Sequence, residues 1–490
     1  MSAVDTDTGP NNNIKDAVMP DTETALLTSS ESDPMANIEA LEDFMTAIFS
    51  EEDELVDNSD INPALFRMIP NVGVIPFVLC KRTVQRIRTL MEPCAAQNIS
   101  KHISNERLGR LVGLLASAVQ SAKDASLAAM VKDGVLVDRG VELATAYCEQ
   151  LELALSVSSL GLEVAVLVFS MVASSKGLHV CSMGDLLHDA VAFLKECLLD
   201  GVVPLLDMDA ECELARVIFN ASQPLHSQFR TLLESTLAAT NSVPAITAQH
   251  ALCEEDIVPL VYASMSVMFC SISLLSDGVD SNLFESIRRS SQMLLRNVFE
   301  MHADQRSWIL EEVLASLIKL PAQKRAQNIH RIAGGKSVQF ITVLLLQLLQ
   351  ATARSPEDLT AGFEGGTLSA KEYRILLQRH KKAVSTVSSS VDFAIRYMIG
   401  RCTKRESKTT TNEAEYRALL ELFIDNCIVL LGHPQWPAAE LVVRIYSLHI
   451  LEILDEDKSD ISLKNMALES AAQIASHIAQ SQLHSPSQCA

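Results

Sequence analysis

Aromatic residues make up only 5% of this 490-residue sequence, and Gly and Pro are sparse at 18 and 16. Sandwiches and barrels need many aromatic or β-branched strands joined by Gly- and Pro-rich turns, and collagen needs Gly at every third position. The shortages exclude those classes and favour helices. The 11 cysteines are scattered singly and form no CxxC pair, which removes zinc ribbons and thioredoxin-like redox sites. Single thiols in odd number within apolar segments read as reduced cysteines packed as small core residues, in cytosol or nucleus. The first residues have neither the basic and apolar regions of a signal peptide nor the Arg-rich pattern of a transit peptide.

Catalytic signatures are equally scarce. Neither HExxH nor GxSxG occurs. Gly334-Gly335-Lys336-Ser337 resembles the end of a phosphate-binding loop, but His330 stands where the motif needs its first Gly, and no apolar strand precedes it. His179 and His188, with Cys181 nearby, read as surface or capping residues rather than metal ligands. The expectation is a non-enzymatic protein with no cofactor and no metal.

What is abundant is apolar helix. Apolar residues reach 48%, with a mean hydropathy of +0.18, too apolar for a wholly disordered chain. From residue 62 onward they recur at three- and four-residue intervals, in segments separated by short turns such as Asp277-Gly278 and Gly432-His433-Pro434. Strand alternation is nearly absent. So long a chain exceeds one compact core unless it is extended, and helix pairs of roughly 35–45 residues without a short consensus point to HEAT- or armadillo-type stacking. The fold expected is all-α: a HEAT-repeat-like α-solenoid preceded by a disordered acidic segment. Its parts are a head over 1–60, helical repeats over 62–300, HEAT-like repeats over 301–480 with a basic connection at 319–337, and a disordered tail at 481–490.

One segment competes with a soluble reading. Ile257 to Leu275 carries no charge and is long enough to span a bilayer. Pro259, interspersed serines and acidic flanks instead favour a core helix buried on every side, with no membrane. Leu151 to Ala173 is similar but carries Glu152 and Glu163.

Charge is unevenly distributed. Residues 1–60 hold sixteen Asp/Glu and one Lys, whereas 319–408 hold sixteen Lys/Arg and six Asp/Glu. Within the head, residues 37–49 place Ile38, Leu41, Phe44, Met45, Ile48 and Phe49 on one helical face before the acidic run Glu51–Glu54. Such a helix either docks on its own chain or binds a partner's groove. In the basic band, Lys319, Lys324, Arg325, His330, Arg331 and Lys336 follow a helix end, and Lys371, Arg374, Arg379, Lys381, Lys382, Arg401, Lys404, Arg405 and Lys408 extend it. It is either a solvated surface or a sequence-independent contact with DNA or an acidic partner; Lys324, Arg325, Arg331 and Lys336 form its expected core. No aromatic platform is interleaved, so duplex backbone is the better target than single strands.

Two runs resemble a known family. Ile309-Leu310-Glu311-Glu312, then Leu320-Pro321 and Lys324-Arg325, a basic connection, and the Leu-rich helix Val338–Gln350 are similar to the Nipped-B or adherin family of HEAT-repeat cohesin loaders. Trp436-Pro437-Ala438-Ala439-Glu440-Leu441 resembles a helix start of the same family. Ala326, Gln327, Asn328 and Ile329 depart from its pattern, and residues 62–280 share only helicity. The resemblance implies a nuclear, chromatin-associated scaffold that loads cohesin for sister chromatid cohesion and contacts cohesin, duplex DNA and a superhelical TPR-type partner subunit. That subunit would engage the head through Ile38, Leu41, Phe44, Ile48 and Phe49. Family members are far longer, so the chain reads as their N-terminal and middle portion or a truncated product. A generic HEAT adaptor for transport or signalling would share the periodicity but not these two runs. Circular dichroism should give a helix-dominated spectrum; substantial strand content would refute the fold.

Overall fold

The computed structural model describes residues 34–57, 62–70, 77–94, 103–132, 145–174, 183–206, 223–249, 252–270, 281–319, 329–332, 335–353, 369–402, 410–456 and 461–484. Chain order begins with α1 (Pro34–Asp57), the strands β1 (Phe66–Met68) and β2 (Phe77–Leu79), α2 (Lys81–Met91), α3 (Asn105–Ala125) and α4 (Leu127–Lys132). Then come α5 (Thr145–Ser174), α6 (Met183–Glu196), the single turn α7 (Val203–Leu206), α8 (Gln223–Gln249), α9 (Glu254–Phe269), α10 (Ser281–Met301) and α11 (Arg306–Lys319). A second strand pair, β3 (Ile329–Arg331) and β4 (Ser337–Gln339), precedes α12 (Phe340–Ala351), α13 (Ala370–Arg401), α14 (Thr410–Val429), α15 (Pro437–Asp455) and α16 (Ile461–His484).

Helical periodicity reappears in this order among the described residues, with several differences, and the helix that apolar spacing predicts at 208–220 lies outside them. Spacing that predicts two helices at 138–156 and 160–174 gives one helix, α5, with 138–144 outside the described residues. The helix expected from residue 76 begins at Lys81, because Phe77–Leu79 pairs with Phe66–Met68 as an antiparallel ribbon. The expected 250–276 helix runs only from Glu254 to Phe269. The basic connection holds β3 and β4, a strand pair that its Ser, Gly and Lys composition does not announce.

Packing runs along the chain as a helical solenoid. α5 lies against α2, α3, α6 and α8; α8 packs on α10; α10 packs on both α9 and α12; α13, α14, α15 and α16 close the far end. Contacts cross residue 300, since α10 touches elements on both sides of it.

Local chemistry sets several boundaries. Ser104 caps α3 by accepting a hydrogen bond from the Arg107 amide at 3.3 Å. Ser369 and Glu372 form a reciprocal capping box at the start of α13, with the Ser369 amide donating to Glu372 Oε2 at 2.7 Å. The carboxylate beside the positive end of the helix is held below its ordinary pKa range by those same hydrogen bonds.

α5 is the axis of the N-terminal half. Among the described residues it is the one helix long and apolar enough to cross a membrane, yet 89% of its most apolar stretch is buried inside the fold. Leu155, Leu162, Val164, Leu167, Val168 and Phe169 are all fully covered. Its buried Glu163 accepts from Gln85 (3.1 Å), Arg88 (3.2 Å) and Ser235 (3.3 Å) and lies 3.3 Å from the Lys81 ammonium. The carboxylate therefore ties α2 and α8 together on α5, where Lys81 also donates to Ser235 at 3.1 Å, which is how a carboxylate is tolerated in so apolar a helix. Two residues earlier, Gly161 lets α3 and α6 approach the axis. A Cβ placed there would overlap the Phe193 ring and stand 2.7 Å from Ala122 Cβ.

Cys197, Cys270, Cys402 and Cys427 are buried as the sequence suggested, whereas Cys80 and Cys148 are half-buried and Cys253 is exposed; burial pushes the Cys402 thiol up to about 12. Replacing Gly161 by Ala should destabilise the protein by roughly 1–3 kcal/mol through overpacking, read as a lower midpoint in urea. An unchanged midpoint would show that Phe193 moves aside freely.

Candidate functional site

The basic connection is organised around the β3–β4 hairpin. Arg331 pairs with Ser337 across it, and the Ile332 amide donates to the Lys336 carbonyl at 2.8 Å, closing the turn. Gly335 takes φ 78°, a left-handed conformation available to Gly without a Cβ penalty. Gly335, Lys336 and Ser337 thus lead into a strand, not from a phosphate loop into a helix. Arg331 and Lys336 are both exposed on it. Lys324 and Arg325 lie outside the described residues, as do Lys404, Arg405 and Lys408.

Behind the hairpin, α10 and α12 leave a groove of about 560 Å³. Arg288, Arg289, Gln292 and Arg296 of α10 form one wall, His330 of β3 the rim, and Phe340 and Gln347 of α12 the other wall. The cations differ in availability. Arg288 is fixed: it donates to Glu285 at 2.6 Å and to the Cys270 carbonyl at 2.8 Å, and lies over the Phe284 ring. Glu285 is the acidic residue in the lining and is already engaged there. Arg289 donates only its Nε, to the Glu285 carbonyl at 3.3 Å, and Arg296 is exposed without a partner among the described residues. Arg289 and Arg296 are one heptad apart, about 10 Å along the helix, and face the same way. Phosphate oxygens approaching the groove would meet Arg289, Arg296 and His330, while Arg331 and Lys336 are exposed on the hairpin beside it.

The sequence singled out 319–408 and missed α10, because Arg288, Arg289 and Arg296 lie upstream of that band. The signal was present as Arg289, Gln292, Met293 and Arg296, a stripe at helical spacing. The rest of the band divides among other elements. Lys371, Arg374, Arg379, Lys381 and Lys382 lie on the first half of α13, and Arg401 lies over the Tyr397 ring at 5.0 Å.

The hairpin joins the two distinctive sequence runs. His330 stands edge-on to buried Trp436, with ring centroids 6.3 Å apart. Trp436 is the N-cap of α15 but makes no side-chain cap. Gln350, at the end of α12, supplies it from a distance: its Oε1 accepts from the Ala438 amide (3.4 Å) and its Nε2 donates to the Gln435 carbonyl (3.3 Å). The Leu-rich run ending at Gln350 and the run beginning at Trp436 are therefore one folded unit.

In the head, the helix spans residues 34–57, longer than 37–49. Ile38, Leu41, Ile48 and Phe49 are buried and Phe44 is half-buried. Of the two sequence readings, docking on its own chain is the arrangement seen. α1 packs on α2, and Arg86 lies 4.5 Å from the Phe44 ring centroid. Arg110 of α3 lies over the Phe49 ring at 4.7 Å and pairs with Glu52 at 2.7 Å and Asp53 at 2.5 Å. The acidic run is thus partly neutralised within the chain, and the five apolar side chains are not at the surface for a groove to take.

Other clusters are less promising. His188 and exposed Cys253 both meet the Asp256 carboxylate, at 3.0 and 2.9 Å, so one acceptor serves both and no relay from Cys to His exists. His179 and Cys181 lie outside the described residues. Among the described residues no three His, Cys, Asp or Glu side chains converge as metal ligands.

A helical solenoid whose hairpin and cationic groove sit at the junction of those two runs defines the class: an all-α solenoid protein. No family model matches the chain. It matches the sister chromatid cohesion protein mis4 of Schizosaccharomyces pombe at 21% identity over 252 residues, 49% of this chain and 16% of that protein. It matches the Nipped-B protein of Drosophila melanogaster at 24% identity over 189 residues, 35% of this chain and 9% of that one. The chain thus spans a small part of these relatives. The fold matches a C-terminal fragment of the cohesin loader SCC2 of Chaetomium thermophilum with a TM-score of 0.69 and 20% identity, over 91% of this chain and 32% of that one. Together these place the chain among the relatives of the Nipped-B family.

Replacing Gln350 by Ala should loosen the start of α15 by roughly 0.5–1.5 kcal/mol, seen as faster amide exchange at Ala438. Unchanged exchange there would show that the cap contributes nothing.

Proposed function

We propose that the chain is a non-enzymatic, chromatin-associated scaffold in the nucleus that helps load cohesin for sister chromatid cohesion. Its likeness to mis4 and Nipped-B and its fold likeness to SCC2 support this. The observation that carries a DNA role is the cationic groove. Arg289 and Arg296 stand on one wall, the lining carboxylate is already paired, and Arg331 and Lys336 are exposed on the adjoining hairpin. Among the described residues no element presents side chains in a base-reading array, so the proposed contact is with duplex phosphates and independent of sequence. Cohesin is proposed to bind the solenoid. A TPR-type partner is proposed to meet the acidic head outside the packed face of α1, since Ile38, Leu41, Phe44, Ile48 and Phe49 are occupied by the chain itself.

Duplex binding across a salt series tests the groove. Each phosphate contact releases about one counterion, so changing Arg289, Arg296, Arg331 and Lys336 to Glu should flatten the slope of log affinity against log salt by roughly three to four units, uniformly across sequences. An unmodified chain with no affinity for duplex at low salt would refute the DNA role and leave an acidic protein surface as the target of the same cations. A generic adaptor would additionally fail to bind purified cohesin.

A further inference from the structure

α13 is two helices in one. From Val387 onward it is anchored: Val387, Val391, Ala394 and Met398 are buried, and Asp392 accepts from His449 of α15 at 2.7 Å and from Arg396 at 2.9 Å. Burial works against the Asp392 carboxylate, but these hydrogen bonds outweigh it and hold its pKa below the ordinary range. Before Val387 the situation reverses. Residues 370–386 include no buried side chain, although their helix is continuous with the anchored part.

The uncovered half has the pattern of a covered one. Leu377 and Val384 stand at the same heptad position as buried Val391 and Met398; Tyr373 and His380 share the position of buried Val387 and Ala394. This alternating three-and-four spacing is that of a coiled-coil seam. The seam that α13 uses to join the body therefore continues toward its N-terminus with no described residue covering it, leaving Tyr373 58% exposed, Leu377 40% and Val384 36%. Arg374 and Lys381, each directly after a seam residue, flank it and make no ion pair among the described residues. Glu372 is already engaged in the capping box.

We propose that residues 370–386 pair with a helix of a partner protein that carries an apolar heptad seam flanked by Asp or Glu. The partner's seam would cover Tyr373, Leu377 and Val384, and its flanking carboxylates would meet Arg374 and Lys381, the positions that set partner choice in such pairs. A second copy of this chain does not fit, because its own flanking positions, Ser369, Arg374, Leu376, Lys381 and Ala383, offer no carboxylate to these cations. Duplex DNA fits less well, because phosphates satisfy the cations but leave three large apolar side chains in water. The polar His380 within the seam fixes the register of the pair. This surface is independent of the groove behind the hairpin, and the proposal stands whether or not that groove binds DNA.

The test uses the full chain and a labelled three-heptad peptide with Leu at the seam and Glu at the flanks, beside a twin with Lys at the flanks and a short duplex, followed by fluorescence anisotropy. The Glu peptide should bind saturably, and Leu377→Asp with Val384→Asp should weaken it about tenfold or more while leaving duplex affinity unchanged. Arg374→Glu with Lys381→Glu should transfer preference to the Lys twin, a rescue that a misfolded variant cannot give. Absence of Glu-peptide binding would overturn the proposal. So would loss of duplex and peptide binding together on charge reversal, with Leu377→Asp and Val384→Asp without effect, since the surface would then be purely electrostatic.

Discussion

α5 has to be covered on every side, and that requirement organises half of the molecule. Its residues between Leu151 and Val172 are so uniformly apolar that no face can be left in water. α2, α3, α6 and α8 therefore gather around it, and two positions decide how closely they come. Gly161 removes the one side chain that would hold α3 and α6 apart. Glu163 turns a buried charge into a fastening, because its oxygens are reached by donors from both α2 and α8. The elements beyond α8 build outward from this cylinder by the same rule of helix on helix, until the groove behind the hairpin and the first half of α13 depart from it.

Those two departures lie where cationic residues gather. The groove stays open because β3 and β4 stand as a hairpin between α11 and α12 rather than as another helix, and Trp436 beneath His330 supports it. The support passes on to α15 through Gln350, so the hairpin, the end of α12 and the beginning of α15 hold one another. The first half of α13 stays open for a different reason: its companions pack only from Val387 onward.

Much of this was legible in the sequence, and the parts that were not share a cause. Three- and four-residue apolar spacing is a local property, so most of the helices from α3 to α16 could be read directly, although α5 read as two. Strand pairing is not local. Phe66–Met68 and Phe77–Leu79 are three residues long and take their structure from each other, leaving no alternation to read. Whether α1 meets its own chain or another was undetermined for the same reason: an amphipathic face shows that it needs a cover but not which cover, and Arg86, Arg107 and Arg110, which complete the contact, lie far along the chain. The basic band was found by counting charge, a linear measure. It included cations that belong to different surfaces and omitted Arg289 and Arg296, which the fold brings to the hairpin.

The order in which the chain emerges from the ribosome bears on α5. Its cover is assembled from both sides of it in sequence: α2 and α3 are already made when it appears, but α8 is made later. Until α8 arrives, the flank carrying the Ser235 side of the Glu163 cluster is bare, and a long apolar helix in that condition is the kind of transient surface that chaperones hold and that aggregates when they do not. Synthesis slowed between α5 and α8 would prolong that exposure, whereas the same delay after α8 would leave the N-terminal half already closed.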